Sequence, residues 1–211
     1  MFPCSFIKKA MNVFFRQGIN EKNRQTLHNH NMSVIASNCN GAFILHDLGE
    51  RFNSPFVNLY LSPRDFIKYL QQIDYYQYHP LRFADSNSSP YPIGYLDDLE
   101  IHFMHYHSAQ EAEAKWQERS RRIDPNNLFI MMTDRDGCTY QDLLDFDRLP
   151  FTHKVVFTRK PYPHIQSAFY ITGFESEESV GDLFAYSGLF GKKYYDQFDY
   201  VAWFNRTQTA Q

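Results

Sequence analysis

The sequence predicts an α/β protein made of two small α/β lobes with mainly parallel, Rossmann-like sheets. Two features carry that expectation. Short apolar runs alternate with helical segments that open on capping residues, the pattern of βα units. Between them lies Asp85-Ser86-Asn87-Ser88-Ser89-Pro90, the strongest loop signal in the chain. It separates an N-terminal lobe, residues 1–85, from a C-terminal lobe, residues 91–211, with 86–90 as the linker.

Residues 2–17 place Phe2, Phe6, Ile7, Ala10, Met11, Phe14 and Phe15 near helical spacing, with Lys8, Lys9 and Arg16 interleaved. Such an amphipathic helix either docks on its own domain or makes peripheral contact with an anionic membrane. Ser33–Ala36 is a short apolar strand, and Ser37-Asn38-Cys39-Asn40-Gly41 leads from it into an apolar segment that ends near Leu48. Pro55–Leu61 reads as a second strand. Pro63–Ile73 reads as a helix, with Ser62 as N-cap, Pro63 in the first position and Phe66, Ile67 and Leu70 on one face. Pro80–Ala84 is a further short strand.

Beyond the linker, Ile93–Tyr106 reads as one or two strands and Ser108–Arg122 as a helix with the capping-box spacing of Ser108 and Glu111. Leu128–Met132, Lys154–Thr158 and Ala168–Thr172 are strands, and Tyr140–Phe146 is helical. The aromatic tail through Tyr194, Tyr195, Phe198, Tyr200, Trp203 and Phe204 should lock onto the core.

Composition narrows the function. A net charge of -3 argues against a nucleic-acid partner, for which a basic footprint is expected. The 15 Tyr among 37 aromatic residues suit a surface that stacks on flat or amphipathic ligands such as sugars. Cys4, Cys39 and Cys138 have unrelated spacings and form neither a disulfide framework nor a zinc motif, which points to a reducing compartment. The N-terminus lacks the apolar core and cleavage site of a signal peptide. A cytoplasmic protein is expected, at the inner face of the membrane where residues 2–17 touch lipid.

The chemistry concentrates in Tyr91–Asp124. Asp97, Asp98, Glu100, His102, His105 and His107 fall within a strand-like run, and isolated buried ionisable groups are costly, so some should face a cleft. Alternation puts Asp98, Glu100 and His102 on one face, where a carboxylate can orient a histidine as general base. These three are the catalytic candidates, with His105 in reserve should the register differ. A buried structural network is the competing explanation. Ser37, Asn38, Cys39, Asn40 and Gly41 lie after a strand and before a helix, where anionic ligands bind and where a helix dipole favours a thiolate. The same loop serves equally as an ordinary strand-to-helix turn. Arg119 and Arg122 can clamp a phosphate or simply complement a helix C-terminus. Asp134 and Asp136, in Asp134-Arg135-Asp136-Gly137, can hold Mg²⁺ or Mn²⁺ on a diphosphate, or form a β-turn.

Three blocks, VIASNCNGAFILHDLGERFNSPFVNLYLSPRDFIKYL, YPIGYLDDLEIHFMHYHSAQEAEAKWQERSRRID and NLFIMMTDRDGCTYQDLLDFDRLPFTHKVVFT, together span most of Met32–Phe204. They resemble the bacterial family filed as domain of unknown function 1919, whose members are often labelled exopolysaccharide biosynthesis protein. The order Trp116, Arg119, Arg122, Ile123 is its most specific element. The resemblance implies a two-lobed α/β fold and a setting among capsule or exopolysaccharide genes, and supplies no established catalytic residues.

The functional expectation is a transferase that moves a glycosyl or acyl-type group from an activated donor to a saccharide acceptor. Its alternative is a non-catalytic accessory protein that binds a nucleotide- or lipid-linked sugar, or a partner enzyme. A hydrolase using Cys39 with a histidine ranks last, since no recognised spacing supports it.

Overall fold

The computed structural model describes residues 4–84 and 89–206. In chain order its elements are α1 (Cys4–Thr26), β1 (Ser33–Ala36), α2 (Asn40–Leu48), α3 (Pro63–Gln71), α4 (Ile73–Tyr78), β2 (Leu81–Phe83), β3 (Ile93–Leu96), β4 (Leu99–His102), α5 (Ala109–Ser120), β5 (Leu128–Thr133), α6 (Tyr140–Asp147), β6 (Lys154–Thr158), β7 (Ala168–Tyr170) and α7 (Tyr200–Phe204). The fold is mixed α/β with two sheets, one four-stranded and parallel in the order β1-β5-β6-β7, the other three-stranded and antiparallel in the order β2-β3-β4.

The parallel sheet is buried on both faces, as its near-continuous apolar strands require. Ile35, Ile130, Met132 and Val156 face a core completed by Phe66, Trp116 and Phe146 from α3, α5 and α6. Val34, Phe129, Met131, Val155 and Phe157 face the opposite core, closed by Ile44 and Leu48 of α2 and by the aromatic tail through Tyr195, Tyr200, Trp203 and Phe204. The tail therefore locks onto the core as expected. Gly41 sets the approach of α2 to β1, because a Cβ there would sit 2.7 Å from the Ala36 Cβ.

The caps act as read. Ser62 accepts from the Asp65 N–H at 3.1 Å with Pro63 at the start of α3, and Ser108 accepts from the Glu111 N–H at 3.1 Å. Glu111 reaches one residue further back than a capping box demands, to the His107 N–H at 3.0 Å. A complete capping box, absent from the sequence reading, opens α6 at Thr139 and Asp142.

Three expectations need correction. The second sheet is antiparallel rather than mainly parallel, because only Asp97 and Asp98 separate β3 from β4. Two residues can join antiparallel neighbours, whereas a parallel pair needs a crossover of roughly a dozen. Asp97 turns the chain at φ 55°, a conformation that Asp tolerates better than most residues. Asp98 therefore sits in a turn and not on the face of β4. Finally, Pro55–Leu61 is no regular strand. Asn58 at φ 61° breaks its extended course, and it contributes one bridge, between Tyr60 and His102.

That bridge couples the sheets. Tyr60 and His102 exchange N–H···O bonds of 3.0 and 2.9 Å, and the next N–H, of Leu61, donates to the Ser37 carbonyl at the end of β1. Residues 86–88 of the expected linker lie outside the described residues. β1, from before that segment, pairs with β5 from after it, Ser33 opposite Leu128 and Ala36 opposite Met131.

Candidate functional site

β1 and β5 are parallel neighbours, so the segments that follow them leave the sheet at the same edge. Their next helices then diverge, α2 to one face and α6 to the other. Divergence of this kind opens a crevice at the strand ends, where α/β proteins bind ligands. The Asn38 amide donates to the Thr133 hydroxyl at 2.8 Å and ties the two loops together.

A cavity of about 540 Å³ occupies this place, within the usual range of small-ligand sites. Asn38, Cys39 and Asn40 line it after β1, and Arg135 and Asp136 after β5. Tyr60, Tyr91, Met104 and His105 enter from the side of the antiparallel sheet. Phe43 of α2 and Phe184, stacked with centroids 3.9 Å apart, close it together with Asp182. Asn40 is only 3% exposed, and its side-chain oxygen has no hydrogen-bond partner among the described residues.

The Arg135–Cys138 turn carries the cavity's most unusual backbone. Asp136 and Gly137 have φ of 58° and 83°, and the Cys138 N–H closes the turn on the Arg135 carbonyl at 3.1 Å. Positive φ at both central residues is what an Asp-Gly turn of type I′ supplies. Burial pushes the Asp136 carboxyl up, partly offset by Arg135 and by His102. Arg135 in turn pairs with Asp182 at 2.7 Å.

Behind Tyr60 and Tyr91 stands His102. Its ring stacks on Tyr60 at 4.3 Å and 8°, its Nε2 lies 2.9 Å from Glu100 Oε1, and its Nδ1 lies 3.5 Å from the Tyr91 hydroxyl. Burial, then the hydrogen bond to Tyr91, raises the Tyr60 phenol to about 12. Glu100 thus contacts the ring, but His102 approaches the cavity through the two tyrosines rather than lining it.

The other candidates divide. Asp98 accepts hydrogen bonds from Lys68 and, at 2.9 Å, from Tyr76, so it stays with α3 and α4, apart from His102. Ser37 is buried by its backbone bonds, and Gly41 serves packing. Arg119 donates to the Tyr106 hydroxyl at 2.8 Å and covers the Phe52 ring, while Arg122 donates to the Phe52 carbonyl at 3.1 Å and pairs with Glu118. Neither lines the cavity; its guanidinium belongs to Arg135. The two oxygens of Asp134 accept the backbone N–H groups of Arg159 and Val180, each at 2.8 Å. The carboxylate that shares the cavity with Asp136 is therefore Asp182, and among the described residues no group of three or more His, Cys, Asp or Glu is placed to hold a metal ion.

Cys39 stands at the N-cap position of α2 without a side-chain capping hydrogen bond, and burial pushes its thiol up, against the favoured thiolate expected there. A thiol probe at neutral pH is expected to label Cys39 more slowly in the folded protein than in the urea-unfolded chain, since the thiolate is the reacting form. Faster labelling in the folded state, followed by mass spectrometry of the Cys39 peptide, would restore the nucleophile.

Tyr60, Tyr91, Arg135, Asp182 and the Phe43–Phe184 pair were not singled out in sequence. Arg135 lay inside the Asp134–Gly137 motif and could have been found there. The others carry no local signal, because distant segments bring them together.

The family model described as Domain of unknown function (DUF1919) matches residues 10–205. A Haemophilus influenzae (strain ATCC 51907 / DSM 11121 / KW20 / Rd) protein, described as "Uncharacterized protein", is 60% identical over 205 residues, which cover 97% of this chain and 99% of that one.

Proposed function

Since this chain belongs to the DUF1919 family, we propose that it is a transferase of capsule or exopolysaccharide biosynthesis, moving a glycosyl or acyl-type group from a phosphate-bearing donor to a saccharide acceptor. One observation supports the chemistry: a raised carboxyl, Asp136, shares a cavity with a guanidinium, a helix N-terminus and several aromatic faces. The polysaccharide setting rests on the label that members of this family often carry.

Arg135 and the N-terminal end of α2 would hold the donor's diphosphate, by charge-assisted hydrogen bonds and by the helix dipole. Tyr60, Tyr91 and the Phe43–Phe184 pair offer faces for a sugar or base. The acceptor hydroxyl attacks the donor carbon, the phosphate leaves with the bonding electrons, and the hydroxyl proton passes to Asp136. A carboxyl raised by burial is suited to that transfer near neutral pH. His102, held by Glu100, sits behind Tyr91 and helps set the charge on Asp136. A Mg²⁺ or Mn²⁺ ion that accompanies the diphosphate would meet Asp182 on the cavity wall, which leaves Asp136 free to take the proton.

Titration calorimetry with a panel of nucleoside diphosphate sugars tests this. At least one should bind, and Arg135→Ala should weaken it about tenfold, as loss of a charge-assisted hydrogen bond implies. Arg122→Ala should bind like the wild type. If no member binds, or if Arg135→Ala makes no difference, the donor site is elsewhere. Binding without turnover on any saccharide acceptor would make the protein an accessory module.

A further inference from the structure

α1 is built the wrong way round for a helix that merely covers its own domain. The side turned to the protein is polar. Arg16 is 4% exposed, where it pairs with Asp47 and Asp196, and Asn12 bonds Gly188 and Gly191 through both ends of its amide. A Cβ at Gly191 would strike the α1 backbone, so the helix lies directly against this loop. The side turned to solvent carries the large apolar residues: Phe14 is 72% exposed, and Val13 and Phe15 stand beside it.

The 189–190 loop extends the patch. Leu189 and Phe190 are exposed, and the Phe190 ring meets Phe15 edge-on at 5.2 Å. Phe190 has φ of 67°, an outlier conformation for a bulky residue, and it is spent on presenting a ring to solvent. Five large apolar side chains therefore form one exposed surface on two separate segments. Patches of this sort mark interaction sites.

Charge selects the occupant. Residues 1–20 and 183–195 contain no Asp or Glu, although the chain as a whole carries -3. Lys8 and Lys9 on α1, and Lys192 beside Phe190, are exposed. Cations around an apolar centre, on a protein of opposite net sign, complement an anionic lipid surface and orient the molecule on it. Among the described residues no helix is long and apolar enough to cross a bilayer. We infer that α1 and the 189–190 loop dock the protein peripherally on anionic phospholipid, with the rings of Phe14, Phe15 and Phe190 in the headgroup boundary and the lysines on the phosphates.

The full chain should be sedimented with vesicles of phosphatidylcholine alone and of equimolar phosphatidylcholine and phosphatidylglycerol. Wild type should pellet with the anionic vesicles, and salt should release it. Phe14→Ser and Phe190→Ser should each weaken partitioning about tenfold, from the apolar burial of one ring. Lys8→Gln and Lys9→Gln should weaken it about fivefold each. Because these side chains are exposed, the thermal melts should match the wild type. No pelleting, equal pelleting with both vesicle types, or full binding by the Phe14→Ser, Phe190→Ser double variant would overturn the assignment. So would a lipid-free dimer, seen by sedimentation equilibrium and abolished by Phe14→Ser, since the occupant would then be a second copy.

Discussion

Replacing Asp136 by Asn is expected to lower transfer by about 10²–10⁴-fold, the contribution of a positioned proton acceptor, with the fold unchanged. Asn is the informative choice because Asp136 lies at φ 58°, which Asn tolerates and which Ala would strain. The change keeps shape and removes only the ionisable oxygen. Asp98→Ala is the matched control, since that carboxylate is committed to Lys68 and Tyr76, and its activity should equal the wild type.

His102→Gln should act through pH. A charged His102 favours the ionised form of Asp136. Its removal should raise that carboxyl further and move the acid limb of the pH–rate profile to higher pH. The measurement is initial rate against pH for wild type and both variants, with the nucleotide sugar that binds. An Asp136→Asn protein that transfers at the wild-type rate would remove Asp136 from the chemistry, and an unmoved acid limb in His102→Gln would uncouple the pair.

Arg16→Met is expected to be strongly destabilising, costing about 3–5 kcal/mol, the range for one partner lost from a buried ion pair. Arg16 donates to Asp47, Asp196 and the Tyr195 hydroxyl, and Lys193 supplies a second cation to Asp47 at 2.6 Å. Removing the guanidinium leaves Asp47 and Asp196 with Lys193 as the remaining cation of this network. For a chain of this length the melting temperature should fall by roughly 6–20 °C, which differential scanning calorimetry would read directly. A shift within 2 °C (about the effect of an ordinary surface change) would mean that α1 is held mainly by other contacts.

The same network sets an acid limit. Burial alone would raise the Asp47 carboxyl. Hydrogen bonds from Lys193 and Tyr195, with the charge of Arg16, outweigh it and hold the group below its ordinary value of 3.8. A folded value below the unfolded one adds stability that is fully present above the unfolded value and is lost as pH falls through the folded one. Wild type should therefore lose stability progressively below about pH 4. Asp47→Asn should flatten that part of the curve.

Local rules reached far into this fold. β6 spans Lys154–Thr158, the bounds read from the sequence, and α3 and α5 start at the caps that Ser62 and Ser108 announce. Those signals act over a few residues, through one hydrogen bond or one alternation of faces, so they are present in the linear chain. The SNCNG and DRDG segments were legible for the same reason: each joins an apolar strand to a helix, and both contribute to the cavity.

The partnerships between segments belonged to the tertiary structure. Asp98 and His102 have the same parity in the sequence, yet a two-residue turn removes Asp98 from the strand. Arg119 and Arg135 are both arginines beside ionisable neighbours, and only packing puts the first on Phe52 and the second on the cavity. Periodicity at α1 predicted an amphipathic helix without saying which face turns inward. A buried salt bridge with residues some 30 and 180 positions away decided that Arg16 is inside and Phe14 outside. The amino-acid sequence by itself determined the mixed α/β elements and two of the loops that line the cavity, because propensity, capping and alternation are short-range. Which groups meet there was decided by long-range pairing and by the desolvation of charges, which depend on neighbours that the chain brings together only when folded.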